Sequence, residues 1–126
     1  MNIIFITNNI LVYERYKDKM NVTYKGDFSY LDILYYTRDL IHQGHRLLTH
    51  PLSGSIKPNE TPFKTIIISI NRSDLDYDSL KIIEDSIQTA QKFLNIKATS
   101  NWSEKVLDDF RVIDLSLIEN IIDIKD

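Results

Sequence analysis

A chain of 126 residues, 43% hydrophobic and 26% charged, has the make-up of one soluble globular domain that buries roughly two-thirds of its unfolded surface. Its formal charge of −3 is uneven, with eight Lys/Arg against six Asp/Glu in residues 1–70 and seven against twelve in 71–126; with no basic run, the footprint that nucleic-acid binding needs is missing. The absence of cysteine excludes disulfides, a thiolate nucleophile and a zinc–sulfur site.

Asn2–Ile6 is a nearly continuous apolar run that predicts a buried strand of the kind parallel α/β sheets use, ending in Thr7-Asn8-Asn9. The same stretch lacks a basic leader and is too short for a signal peptide, and no apolar run nears the roughly 20 residues that span a bilayer. A cytoplasmic protein without a membrane partner is expected, and the Asn-x-Ser/Thr matches at Asn21, Asn59, Asn71 and Asn101 read as coincidental. Ile10–Lys19 predicts a short helix with Asn9 as its cap, and Asn21–Lys25 a second strand stopped at Gly26. Ser29-Tyr30-Leu31-Asp32 is a capping-box start. The helix it opens carries Tyr30, Ile33, Leu34, Thr37, Leu40 and Ile41 at helical spacing, with Gly44 placed as a left-handed residue past its end.

Arg46–Thr49 reads as a third strand. Pro51–Phe63 follows, a loop that holds all three prolines of the chain. Lys64–Ile70 is the strongest strand signal, with four successive β-favouring residues from Thr65 to Ile68. Asp74, Asp76 and Asp78 precede a helix over Asp78–Asn95, whose Leu80, Ile83, Ile87, Ala90 and Leu94 form one apolar face. From Ser103 a stripe runs through Val106, Leu107 and Phe110. Asp114 is then placed either as the cap of a last helix or within an edge strand over Arg111–Leu115. This order implies an α/β fold: a small single-domain sandwich over 1–126 with a mostly parallel, Rossmann-like sheet of about four strands flanked by helices. Residues 1–95 form its core and 96–126 a C-terminal helical segment.

Ligands of parallel sheets bind beyond the carboxyl ends of the strands. With the first and third strands adjacent, Thr7, Asn8 and Asn9 face the loop from Thr49 across one crevice. The loop draws attention because connections in compact domains usually run about 4–6 residues. Ser53-Gly54-Ser55 followed by Lys57 has the parts of an anion cradle: hydroxyls, N–H groups freed by a glycine turn, and a positive charge. The spacing is not that of a Walker A loop. Thr49, His50 and Asn59 complete the candidate ligand-binding set. His50 beside Ser53 or Ser55 also raises a base-and-hydroxyl pair, though no G-x-S-x-G elbow accompanies it, and the plain alternative is that His50 pins the loop by bonding to backbone. His42, His45 and His50 are a poor metal set, since Gly44 interrupts their spacing and no carboxylate lies close in sequence. No metal and no cofactor are expected. Tyr13, Tyr16, Tyr24, Tyr30, Tyr35 and Tyr36 cannot all face inward, so some offer a partner surface, a homodimer being one form. Trp102 is expected to dock the C-terminal segment.

Together, I-T-N-N at residues 6–9, D-L-I-H-Q-G-H-R-L-L-T-H-P-L-S-G-S-I-K-P-N-E-T-P-F at 39–63 and the Leu80–Leu94 helix resemble the GrdX family. These are small proteins associated with the glycine reductase gene cluster of amino-acid-fermenting anaerobes. The resemblance runs over about the first 95 residues and is most specific in the loop. It implies a cytoplasmic accessory role near glycine, sarcosine or betaine reductase, and it brings no catalytic residues with it. Glycine reductase chemistry runs through thiols and selenols, which this chain lacks, so a non-redox role is expected. Three readings follow: an accessory protein whose 49–63 loop binds a small anionic metabolite or a reductase component; a small hydrolase or acyl/phosphoryl-transfer enzyme using His50 and Ser53 or Ser55; and a structural homodimer.

Overall fold

The computed structural model describes residues 2–125, and among them three strands and four helices alternate: β1 (Ile3–Thr7), α1 (Ile10–Tyr16), β2 (Asn21–Tyr24), α2 (Tyr30–His42), β3 (Thr65–Ser69), α3 (Tyr77–Ile96) and α4 (Glu104–Lys125). The sheet order is β2-β1-β3. β1 runs parallel to β2 and antiparallel to β3, in a register that sets Thr7 opposite Thr65 and Phe5 opposite Ile67.

This corrects the expected mostly parallel, four-stranded, Rossmann-like sheet: there are three strands, and they are mixed. Two physical reasons account for the difference. A parallel connection needs a crossover that returns the chain to the same end of the sheet, usually through a helix. The proline-rich 50–64 segment contains none and turns the chain straight back into β3. The apolar run of β1, read as the mark of a parallel sheet, and that of β3 arise instead because helices cover both faces. Ile66 and Ile68 join Ile6 under α2 and α3, while Ile67 joins Ile3, Phe5 and Val12 with Ile118 and Ile122 of α4. The expected third strand at 46–49 contributes only one bridge, Leu47 to Ile68 on the outer edge of β3. The Leu48 N–H donates to Ile67 O at 2.9 Å, and the Ser69 N–H to Arg46 O at 2.9 Å. That segment therefore points the same way as β1, with Thr49 at the end where β1 finishes.

Local signals behave as their chemistry requires. Asn9 accepts the Leu11 N–H to cap α1, and Ser29 and Asp32 exchange both bonds of a capping box at α2. Asp114 is neither a cap nor in an edge strand, because α4 is one unbroken helix from Glu104 and Asp114 stands near its middle, facing inward. The aromatic residues are largely engaged within the chain: Tyr16 and Tyr30 are buried, Tyr13 stacks on Tyr24 at 5.1 Å, and the Tyr36 ring meets Phe28 edge-on at 5.9 Å. Trp102 donates its indole N–H to Glu60 O at 2.7 Å and lies 5.7 Å from the Phe110 ring, so it joins the start of α4 to the long loop. No helix among the described residues is long and apolar enough to cross a membrane.

Candidate functional site

The antiparallel step from β1 to β3 brings Thr7, Asn8 and Asn9 beside Lys64 and Thr65 at one end of the sheet. α4 closes that end from one side and the start of the long loop from another. Between them lies a cleft of about 180 Å³, bordered by Thr49, His50, Ser53–Ser55, Lys64 and Thr65 on one side and by Asp114 with Leu117, Ile118 and Ile121 of α4 on the other. Its size suits a small metabolite better than a drug-sized ligand, which fills roughly 300–1,000 Å³.

The polar floor of the cleft is a directed chain of hydrogen bonds. The Asn9 N–H donates to Thr7 Oγ1 at 3.0 Å, Thr7 Oγ1 meets Thr65 Oγ1 at 2.7 Å, and Thr65 Oγ1 donates to Asp114 Oδ2 at 2.7 Å. A hydroxyl has one proton to give. Thr65 spends its proton on Asp114, so Thr7 is the donor between the two threonines. The Asn9 amide adds a second bond to the same carboxylate oxygen, 3.0 Å from Nδ2, and a third to Arg111 O at 2.9 Å. All of these residues pull toward Asp114 Oδ2.

Asp114 is 7% exposed and Lys64 6%, yet the two form no ion pair. Burial pushes the Asp114 carboxyl above its ordinary value, against the opposing pull of the Thr65 and Asn9 bonds and of the Lys64 charge. Burial likewise pushes the Lys64 ammonium below its ordinary value, with Asp114 opposing. Lys64 Nζ donates to Ser53 Oγ at 3.3 Å, its one hydrogen bond among the described residues.

The raised carboxyl has a consequence for stability. Asp114 binds its proton more tightly folded than unfolded, so its contribution is fully present below the unfolded value near 3.8 and is lost as pH rises through the folded one. Asp114→Asn cannot titrate, whereas its amide oxygen can still accept from Thr65 and Asn9. The melting temperature of the native chain is therefore expected to gain on that of Asp114→Asn as pH falls toward 4. A difference that stays flat between pH 4 and 7 would contradict the buried carboxyl.

The sequence-based candidates divide between the cleft and its supports. Thr49, His50, Ser53, Gly54 and Ser55 line the cleft. Thr7 and Asn9 lie beneath it as relays to Asp114. Asn8 is a structural tie: it donates to Phe28 O and Pro62 O and accepts the Lys64 N–H, which fixes the loop's exit. Thr49 lends its hydroxyl oxygen to the Ile67 N–H at 3.0 Å. Lys57 points away, with Nζ 5.9 Å from the Phe93 ring centroid on the far side of the loop. Asn59 goes the same way, donating to Phe93 O and Lys97 O and so anchoring the loop on the end of α3. Gly54 lacks a left-handed backbone: Gly44 alone among the described residues has a positive φ.

His50 does not meet either serine. Its ring is exposed and Nδ1 accepts the Leu52 N–H at 3.0 Å, which pins the loop start and leaves the proton on Nε2. His45 is turned the other way, its Nδ1 donating to Ser69 O at 2.8 Å. Tyr30 also holds the loop start, donating its hydroxyl to Pro51 O at 2.9 Å.

Lys64, Thr65 and Asp114 are functional candidates that the sequence reading passed over. One signal was available. Asp114 lies seven residues after Leu107, four after Phe110 and four before Ile118, so it occupies a core position of the α4 stripe. A carboxylate where the helix should be apolar marks either a buried network or a site.

These features define a small mixed α/β protein with a charged cleft at one sheet end, roofed by a proline-rich loop. The family profile of GrdX-like proteins matches residues 4–123. The chain belongs to that family, and the match extends into α4, beyond the first 95 residues on which the sequence resemblance rested. No curated protein and no solved structure matched the chain.

Proposed function

We propose that this chain is a small-molecule-binding accessory protein of glycine, sarcosine or betaine reductase metabolism, and that its cleft takes a small anionic metabolite. The metabolic setting comes from what the GrdX-like family implies. One observation carries the binding reading: the buried Lys64 ammonium borders the cleft with, among the described residues, a single hydrogen bond and no ion pair. An ammonium has three donors. A buried charge left without full compensation is costly, and a structure retains it most readily where an incoming anion supplies what is missing. The cation is thus Lys64, with Ser53 as its neighbour, rather than the Lys57 of the loop's tip.

The absence of cysteine supports a role that does not run thiol or selenol chemistry on this chain's own side chains. The hydrolase alternative draws no support from His50, whose Nδ1 is engaged by backbone. Docking on a reductase component is part of the proposal.

Calorimetric titration with acetate and phosphate, alongside a thermal melt, tests the binding reading. Saturable binding that Lys64→Met abolishes is expected; no heat and no melting shift for any small ion or metabolite would refute it. Co-elution with purified reductase components tests the partner half separately.

A further inference from the structure

The cleft holds a buried cation and a buried anion that do not touch. Their arrangement differs from that of a structural salt bridge. A Lys–Asp pair kept for stability closes to direct contact, because only close, well-bonded geometry offsets the removal of both charges from water. Here Lys64 Nζ turns to Ser53 Oγ, and Asp114 takes its bonds from Thr65 and Asn9 instead. Both of those bonds reach Oδ2. The Thr65 backbone N–H adds a further pull on the same carboxyl. Asp114 is not closed onto Lys64, and it borders the cleft.

We propose that the ligand of this cleft is a small zwitterion, its carboxylate on Lys64 Nζ and Ser53 Oγ and its ammonium on the Asp114 carboxylate. The inference rests on the binding reading above and narrows it from anions to ammonium carboxylates. A plain anion would compensate Lys64 but stand beside the Asp114 carboxylate, a like charge at low dielectric. A plain cation would meet the converse difficulty at Lys64. A molecule carrying both charges satisfies both residues at once and brings no net charge into the buried site. The bonds from Thr65 and Asn9 hold Oδ2 fixed, so the carboxyl is positioned without help from the ligand. Leu117, Ile118 and Ile121 offer an apolar wall to the carbon atoms between the two charges. The cleft of about 180 Å³ favours a short spacer.

Calorimetry on the purified full chain tests this with a ruler of charge separations: glycine, β-alanine and γ-aminobutyrate, against acetate and methylammonium as single-charge controls. At least one zwitterion is expected to bind ten-fold or more tightly than either control. Asp114→Asn should remove that advantage while acetate binding persists or strengthens, and Lys64→Met should remove both. In case a variant fails to fold, the native chain provides a second readout. Titrating in the best zwitterion should move the side-chain resonances of both Lys64 and Asp114 in the NMR spectrum. Acetate that binds as tightly as every zwitterion, or a zwitterion that leaves Asp114 unmoved, overturns the inference while the binding reading stands. No binding by any of the five probes, nor by phosphate, overturns both.

Discussion

Replacing Asn9 with alanine is expected to destabilise the protein by about 3–5 kcal/mol, the sum of a lost helix cap and of bonds withdrawn from buried acceptors. Asn9 is completely buried. Its Oδ1 caps α1 through the Leu11 N–H at 3.1 Å, and its Nδ2 reaches across to α4, at Arg111 O and Asp114 Oδ2. One side chain thus ends β1, begins α1 and holds the middle of α4. Alanine removes all three bonds and leaves a buried carboxylate with one donor fewer. The denaturant midpoint should fall at unchanged slope, and a loss below about 1 kcal/mol would show that α4 does not depend on this tie. Asn9→Asp is an informative companion. It keeps the cap but sets a second carboxyl beside Asp114, so each raises the other's proton affinity. Its stability should recover more steeply as pH falls than that of Asn9→Ala, in which Asp114 alone titrates.

Gly44→Ala should be costly for a different reason. Gly44 follows α2 with φ +103°, and an added Cβ would stand 2.1 Å from Ser73 O and 3.0 Å from Ser73 N. Those atoms are backbone, and Ser73 donates its N–H to Gly44 O at 3.1 Å, so the neighbour cannot rotate away. The backbone conformation alone costs about 1–3 kcal/mol for a residue with a side chain. The clash adds to it by prising the turn after β3 from the end of α2. The expected melting temperature is several degrees below that of the native chain. Gly54→Ala serves as the contrast: nothing lies within 4 Å of its added Cβ, and its stability is expected to change by no more than about 0.5 kcal/mol. Equal effects at the two glycines would contradict this account of the α2 terminus.

What could be read from the sequence follows the range of the forces involved. The capping box at Ser29–Asp32, the Asn9 cap, the left-handed Gly44 and the face of α3 all depend on neighbours within a turn or two, and they stand where they were expected. The sheet failed at its least local point. Whether β3 lies parallel or antiparallel to β1 depends on how residues 50–64 travel through space, and composition says only that they are stiff and irregular. The burial of Ile67 depends in turn on α4, far along the chain, whereas Ile66 and Ile68 lie under α2 and α3.

The candidate site shows the same division. The long loop was conspicuous, and its first half does border the cleft through Thr49, His50 and Ser53–Ser55. Lys57 and Asn59 fall on the other side because the loop folds over and ties its second half to the end of α3. Lys64 was concealed by its position at the head of an apolar strand, where a lysine reads as a solvated flank. Asp114 was concealed by a helix-cap reading that suited aspartate in isolation. Its place in the apolar stripe of α4 was the stronger evidence, since caps lie at ends and stripes face cores.

A crystal structure of the chain grown in phosphate would decide whether an anion enters the cleft between the loop start, β3 and α4 with Lys64 as its cation. The phosphate is expected within hydrogen-bond distance of Lys64 Nζ and Ser53 Oγ, inside the cleft. A phosphate seated on the outer Ser55–Lys57 turn, or an empty cleft with Lys64 closed onto Asp114, would contradict it.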